Sequence, residues 1–277
     1  MKCRISSSIN NFEDKINKRY GMEKWHWLKD RNKSTYFFGL YHIGDYLRFL
    51  WHKGKKKVIW CGSDILNLRD NKIWQKVIHW RKAEHLCENE VEAVLLRSMG
   101  INAKVQPLCF DDPKQFELSY KQSDQPHVFV CCHPGSEEQY GVNMIEGIAW
   151  ATPLITYHIY GIKKEIWYYK NDPSKLYNLD NIPENVIYHG KVSNERFNEE
   201  IKDYQAGLRL NDFDGFAEVL AKSVLMGQWP ISRISYPFIS YAKDITALIA
   251  LLNDLHNKKE PNLEGRKYWL NEFNKPL

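Results

Sequence analysis

Gly207-Leu208-Arg209-Leu210-Asn211-Asp212-Phe213-Asp214-Gly215 runs from an apolar strand into a polar loop, and the helix behind it closes at Ser223-Val224-Leu225-Met226-Gly227. The strand delivers Arg209, Asp212 and Asp214 to the lip of a sheet, and Gly215 is read as the start of the next helix. A helix start leaves backbone N–H groups unbonded, which favours an anion or a sugar hydroxyl there. An aspartate can also simply cap a helix. An arginine and two carboxylates between Arg209 and Asp214 exceed what a cap requires.

The same strand, loop and helix unit recurs on both sides. Apolar runs at 35–41, 58–61, 83–87 and 103–108 read as strands, with helical spacing at 42–52 (Ile43, Tyr46, Leu47, Leu50, Trp51) and 89–99. After a polar stretch, strands are expected at 128–132, 153–157, 186–189, 207–210 and 230–232. Helices are expected at 140–150, 194–203, 215–226 and 245–255, with one more in the tail. Alternation of this kind implies an α/β fold, with parallel sheets flanked by helices in two lobes and a cleft between them. Residues 1–33 are polar and carry no periodic signal. Ligands of open parallel sheets gather at the carboxyl ends of the strands. The places to search are therefore Tyr41-His42, Gly62-Ser63-Asp64, His133-Pro134-Gly135, His189-Gly190-Lys191 and Arg209 to Gly215.

Composition narrows the class. With 43% apolar and 26% charged residues, the 277-residue chain is ordinary for a globular protein and long enough for two modest cores. The six cysteines include no CxxC pair, and several lie in strand-like runs, which points to buried thiols in a reducing compartment. No leader-like apolar segment opens the chain and no 18-residue apolar run occurs, so the expectation is a cytoplasmic protein that meets membranes only peripherally. The net charge of +5 is mild, but Lys53, Lys55, Lys56 and Lys57 form a tight basic cluster. That cluster reads either as a solvated loop or as a contact for nucleic-acid phosphates or an anionic membrane surface.

The segment 207–227 resembles the donor lobe of GT-B glycosyltransferases, in particular the retaining, nucleotide-sugar-dependent enzymes of the group 1 type. Their motif sets an acidic residue in the loop and, after seven more residues, a Glu on the next helix before a small-x-Gly turn. Anchored on Gly227, it places Asp214 first and Lys222 second. The resemblance implies that Asp214 contacts the transferred sugar. A lysine cannot accept from ribose hydroxyls, so either Lys222 reaches a phosphate or Glu218 supplies the carboxylate. Upstream, the segment 183–192 is similar to the family's strand and glycine loop facing the base, which brings in Gly190 and Lys191. The loop with Gly135 and Ser136 matches the one that approaches the diphosphate. Near the other sheet, Trp60-Cys61-Gly62-Ser63-Asp64 is similar to a pattern in relatives; Asp64 reads either as the group that orients or deprotonates the acceptor hydroxyl or as a helix cap, and His42 is a second acceptor-side candidate. Glu88, Glu90 and Glu92 read as a solvated face.

The resemblance implies two Rossmann-like lobes: residues 1–112 on the acceptor side, a linker at 113–126, and a nucleotide-sugar lobe at 127–255. The tail at 256–277 is expected as a helix crossing back to the first lobe. No cofactor is expected beyond a UDP- or GDP-linked sugar as co-substrate. No metal is expected either, the pair Asp212 and Asp214 being the rival reading as an ion site. The acceptor reads as a saccharide or lipid-linked saccharide, with a hydroxymethylated base in DNA second. A nucleotide-sugar epimerase, or a protein that binds the donor without catalysis, is the reading from another class.

Overall fold

The computed structural model describes residues 1–163 and 182–277. The chain divides into two compact units, one comprising Met1–Gln115 with Phe213–Phe216 and Glu272–Leu277, the other Phe116–Asp212 with Ala217–Asn271.

The first unit is built on six parallel strands: β1 (Lys2–Ile5), β2 (Glu23–Lys24), β3 (Thr35–Phe38), β4 (Lys56–Ile59), β5 (Glu84–Cys87) and β6 (Lys104–Val105). Their order in the sheet is β2-β1-β3-β4-β5-β6. All four residues of β3 are buried, as both faces of a parallel strand must be. Four helices lie between or after strands: α1 (Glu13–Tyr20), α2 (Ile43–Trp51), α3 (Ser63–Arg69) and α4 (Lys72–Trp80), with α5 (Glu90–Ser98) following β5. The sequence analysis left 1–33 and 63–80 without elements. β1 buries only Cys3 and Ile5, too short a pattern to register. α3 and α4 abut with only Asp70 and Asn71 between them, so their two patterns run together.

The second unit holds β7 (His127–Cys131), β8 (Thr156–Tyr160), β9 (Val186–Gly190), β10 (Ala206–Arg209), β11 (Ile231–Ser232) and β12 (Ser240–Tyr241), again all parallel. Their order is β12-β11-β10-β7-β8-β9. Chain order therefore reverses between β7 and β10, which is the doubly wound arrangement with its crevice at that pair. Helices α6 (Val142–Ala149), α7 (Asn194–Glu200), α8 (Glu218–Leu225) and α9 (Ile245–Asn253) accompany the strands, and α10 (Leu263–Phe273) ends the series. β8 starts at Thr156, later than the apolar run at 153–155 suggested. α8 starts at Glu218, so Gly215 does not open it; residues 213–216 belong to the first unit instead.

One buried carboxylate ties the first sheet together. β3 and β4 end side by side, Phe38 opposite Ile59. Asp64, fully buried on α3, accepts the Leu40 N–H on Oδ2 at 3.1 Å and the Cys61 N–H on Oδ1 at 3.0 Å. These are the two chains leaving the strands, and the carboxylate supplies the acceptors that the ladder no longer does. Burial pushes the Asp64 carboxyl up to about 7, against the pull of those N–H groups.

In the second unit, three adjacent strands each contribute a histidine to a hydrogen-bonded row. His127 Nδ1 lies 2.8 Å from His158 Nε2, and His158 Nδ1 lies 2.8 Å from His189 Nε2. Tyr204 OH joins His158 at 3.1 Å, Tyr160 OH bridges Tyr204 and Glu200, and Arg196 pairs with Glu200. Burial lowers the pKa of all three histidines, His158 to about 3.

Two stability measurements follow from these groups. Asp64→Asn turns one acceptor into a donor facing a backbone N–H, and should cost about 1–3 kcal/mol in urea unfolding. The raised pKa means that the native state holds an extra proton between the unfolded value, about 4, and about 7. The Asp64 contribution therefore falls as pH rises through that window, and the penalty of Asp64→Asn should be larger near pH 5 than near pH 8. The histidine row has the opposite sign. With folded values below the unfolded value of about 6.5, its contribution is complete above that pH and is lost as pH falls. His158→Phe keeps the ring stack on Tyr204 and should flatten the acid limb of the stability curve; an unchanged acid limb would show that the row does not titrate on unfolding.

Candidate functional site

The crevice between β7 and β10 is framed by the loops that follow these strands. Gly141, the residue before α6, has φ +74°, and a Cβ there would lie 2.7 Å from Leu210 Cβ, just past β10. Glycine alone permits both the backbone angle and the approach. The contact brings Tyr140 beside the end of β10, where the Arg209 guanidinium lies 4.1 Å over its ring. Arg209 is buried, and stacking on an aromatic face suits the flat, weakly hydrated guanidinium. Burial pushes the Cys131 thiol at the end of β7 up to about 11, while Lys222 and Arg209 pull it down, so both cations lie near this strand end.

Asn211 is the residue that the sequence analysis passed over. It sits two residues beyond β10, only 3% exposed, and neither Oδ1 nor Nδ2 has a hydrogen-bond partner among the described residues. A buried amide with both ends unpaired is costly, and such groups are rare outside sites that take a water or a ligand. The available signal was its position, a polar residue directly behind an apolar strand.

The other expected donor residues are distributed differently. The Gly135 N–H donates to Glu137 Oε1 at 2.9 Å, so the amide offered to a phosphate is engaged by its own loop. Ser136 gives its backbone N–H to the His133 carbonyl at 3.1 Å. Gly190 and the exposed Lys191 follow β9, two strands away from β7, a distance of about 10 Å. The backbone of Gly190 packs on the Lys163 side chain. Lys222 is buried on α8, donates to Asn198 Oδ1 at 2.8 Å and lies 5.0 Å over the Phe197 ring. Its ammonium is thus spent on α7 rather than offered to a ribose or phosphate. Glu218 is half-buried in the first turn of α8. Asp212 is exposed and pairs with Arg233 at 2.6 Å.

Asp214 and Gly215 lie on the first unit. Asn89 Nδ2 donates to the Asp214 carbonyl at 2.6 Å, and a Cβ on Gly62 would sit 3.2 Å from Asp214 Oδ1. Gly215 presses against the Glu88 carboxylate so closely that any side chain there would collide with it. Glu88 and Glu92 are buried, and only Glu90 is exposed, so the solvated face expected of these residues is not what forms. Glu92 Oε2 accepts the Glu88 N–H at 2.6 Å. Burial, then the charges of Glu88, Asp64 and Asp214, holds the Glu92 carboxyl well above the usual range. Among the described residues no group of three or more His, Cys, Asp or Glu side chains is arranged to hold a metal ion.

The two acceptor-side candidates differ in their surroundings. Asp64 is closed off by its two backbone donors and cannot meet an acceptor hydroxyl. His42 is exposed at the carboxyl end of β3, immediately before α2. Its N–H donates to Asp45 Oδ2 at 3.2 Å, and its Nε2 lies 2.8 Å from Ser8 Oγ. The lysine cluster lies at the amino edge of the first sheet. Lys56 donates to the Gly54 carbonyl at 3.0 Å, Lys57 pairs with Glu84 at 3.2 Å, and only Lys53 and Lys55 are exposed. The strand direction puts the cluster at the end opposite the carboxyl-edge loops, so it is not part of a site built there.

No protein family and no curated protein matches the sequence. Solved structures do. The chain superposes on TarM with a TM-score of 0.58 at 14% identity, over 88% of this chain and 56% of that one. It superposes on the apo form of the lipopolysaccharide outer core galactosyltransferase WaaB with a TM-score of 0.59 at 17% identity, over 97% of this chain and 80% of that one. It superposes on Anabaena HepE in complex with UDP and glucose with a TM-score of 0.62 at 10% identity, over 96% of this chain and 79% of that one. The chain thus spans little more than half the length of TarM. At these identities the likeness is one of fold, and it agrees with the two parallel sheets and the β7–β10 reversal: the chain has the GT-B fold that glycosyltransferases such as WaaB and HepE share.

Proposed function

We propose that the chain transfers a sugar from a nucleotide-sugar donor to an acceptor hydroxyl, and that the diphosphate of the donor lies at the β7–β10 crevice against Arg209 and Asn211. The observation that carries this reading is the unpaired, buried Asn211 two residues from a buried arginine at the point where the strand order reverses. In such a reaction the bond from the anomeric carbon to the diphosphate breaks with its electron pair leaving on the phosphate oxygen. The acceptor oxygen bonds to the anomeric carbon and gives up its proton. Charge therefore grows on the diphosphate, and a fixed guanidinium in a dry crevice stabilises that growth. Tyr140 holds the guanidinium plane in place, and the Asn211 amide offers a donor and an acceptor in one group. The structural neighbours named for galactosyl transfer and for bound UDP and glucose support this class of donor. A saccharide or lipid-linked saccharide is the proposed acceptor, and the donor is proposed to bind without a metal ion.

Nucleotide binding and turnover separate this reading from its failure. Asn211→Leu removes a buried group that has no partner, so thermal stability should hold or rise while affinity for UDP or GDP falls about tenfold. A purely structural Asn211 would move both together. Arg209→Ala should lower kcat/KM by about a hundredfold or more, the scale of one lost charge-stabilising contact. Near-normal turnover in a folded Arg209→Ala protein would remove the diphosphate from this crevice. Turnover should persist in EDTA; a loss restored by added Mg2+ or Mn2+ would defeat the metal-free part of the reading.

A further inference from the structure

Helix α2 is apolar on two faces. Tyr46 and Phe49 point into the core of the first unit, as one stripe of an amphipathic helix should. Ile43, Leu47 and Trp51, spaced four residues apart, run along the other face, and they are 65%, 52% and 40% exposed. The stripe continues past the helix end. Trp27 lies 6.1 Å from Trp51, ring to ring, and both Trp27 and its neighbour Leu28 are exposed. A helix with apolar residues all round is ordinarily covered on both sides. A contiguous exposed patch containing two tryptophans marks an interaction surface rather than scattered surface apolarity.

The charge around the patch says what covers it. From Trp25 to Lys57 the chain carries eight lysines and arginines against two aspartates. Both aspartates are buried and paired, Asp30 with Lys2 and Lys33, and Asp45 with Arg4. What remains at the surface is positive. Lys29, Arg48, Lys53 and Lys55 are exposed with no carboxylate partner among the described residues. Local contacts bind this rim to the patch: the Arg31 guanidinium lies 3.5 Å over Trp51, and the Lys53 and Gly54 N–H groups donate to the Arg31 carbonyl. Apolar side chains with tryptophans, bordered by lysines and arginines, form the pattern of a helix that lies in the headgroup layer of an anionic bilayer. No helix of the described residues is long and apolar enough to cross a membrane, and α2, about 13 Å long, would lie along the surface instead.

We propose that the α2 flank of the first unit docks on the surface of an anionic lipid bilayer, with Ile43, Leu47, Trp51 and Trp27 entering the interface and the basic rim meeting the lipid headgroups. The two lysines left without a role at the sheet's amino edge, Lys53 and Lys55, are placed by this arrangement at the headgroups. The proposal is independent of the donor reading at the β7–β10 crevice.

Co-sedimentation of the full chain with vesicles tests it, comparing phosphatidylcholine alone with phosphatidylcholine containing phosphatidylglycerol. The chain should bind the phosphatidylglycerol vesicles, and added salt should weaken the binding. The double variant Ile43→Ser with Leu47→Ser should bind about tenfold less, with an unchanged thermal midpoint because both side chains are exposed. Lys53→Gln with Lys55→Gln should lower binding about fivefold per lysine and flatten the salt dependence. Nucleotide binding in solution should be the same in all of these proteins, so failure here leaves the donor reading standing. Absence of binding to phosphatidylglycerol vesicles, or undiminished binding by the serine variant, would overturn the proposal. So would a concentration-dependent dimer that the serine variant abolishes, since that result would assign the face to a second copy of the chain.

Discussion

The close approach of the Gly141 backbone to the Leu210 side chain is the constraint on which the second unit's crevice depends. Two loops in a doubly wound sheet can face one another at the strand reversal without touching, and the crevice is then open and wet. Here the start of α6 closes onto the residue behind β10, at a distance that leaves no room for a side chain. Tyr140, one residue earlier, is thereby set against Arg209, and the guanidinium is held under an aromatic ring instead of reaching for solvent. With the mouth narrowed in this way, Asn211 is excluded from water with its amide unspent. The cost of that exclusion is the reason to look for a ligand there.

At the carboxyl edge of the first sheet, buried carboxylates are engaged by backbone N–H groups instead. Asp64 closes the ends of β3 and β4, and Glu92 takes the N–H of Glu88 at the end of β5. Burial, and after it the charges of Glu88, Asp64 and Asp214, holds the Glu92 carboxyl above the range of an exposed glutamate. Segment 213–216 settles onto this same edge, with Asn89 holding the Asp214 carbonyl. Its lack of side-chain bulk at Gly215 is what lets it lie against Glu88.

The outer face of the first unit follows a third logic. Tyr46 and Phe49 of α2 lead into the core, while Ile43, Leu47 and Trp51, one turn apart, lead outward. Ile43, Leu47 and Trp51 stay exposed, Trp51 packing against Trp27 and Arg31, and this is the feature the membrane proposal uses. The positive rim restricts the partner of that face to a surface of opposite charge.

Much of the fold was legible in the sequence because parallel strands are buried on both faces. Runs such as Tyr36-Phe37-Phe38 and Val128-Phe129-Val130 are continuous and short, and glycines such as Gly100 and Gly227 stop the helices between them. β1, β2, β12 and the α3–α4 pair escaped because each presents too few apolar positions for a period to show. The sequence also singled out Arg209 correctly as a charged group at a strand lip. It could not say which carboxylates would face solvent. Asp64 reads as well for a cap or a catalyst as for a buried pin, and Glu92 as well for a solvated turn as for a core residue. For Asp64 the outcome rests on a donor far away along the chain, the Leu40 N–H, and Gly215 is pressed onto the Glu88 carboxylate from a segment more than a hundred residues on. Periodicity is a property of neighbouring residues and survives in the sequence. The burial of a polar group depends on partners that only folding brings within hydrogen-bonding distance, and so the tertiary structure alone decided which groups found partners and which, like Asn211, found none among the described residues.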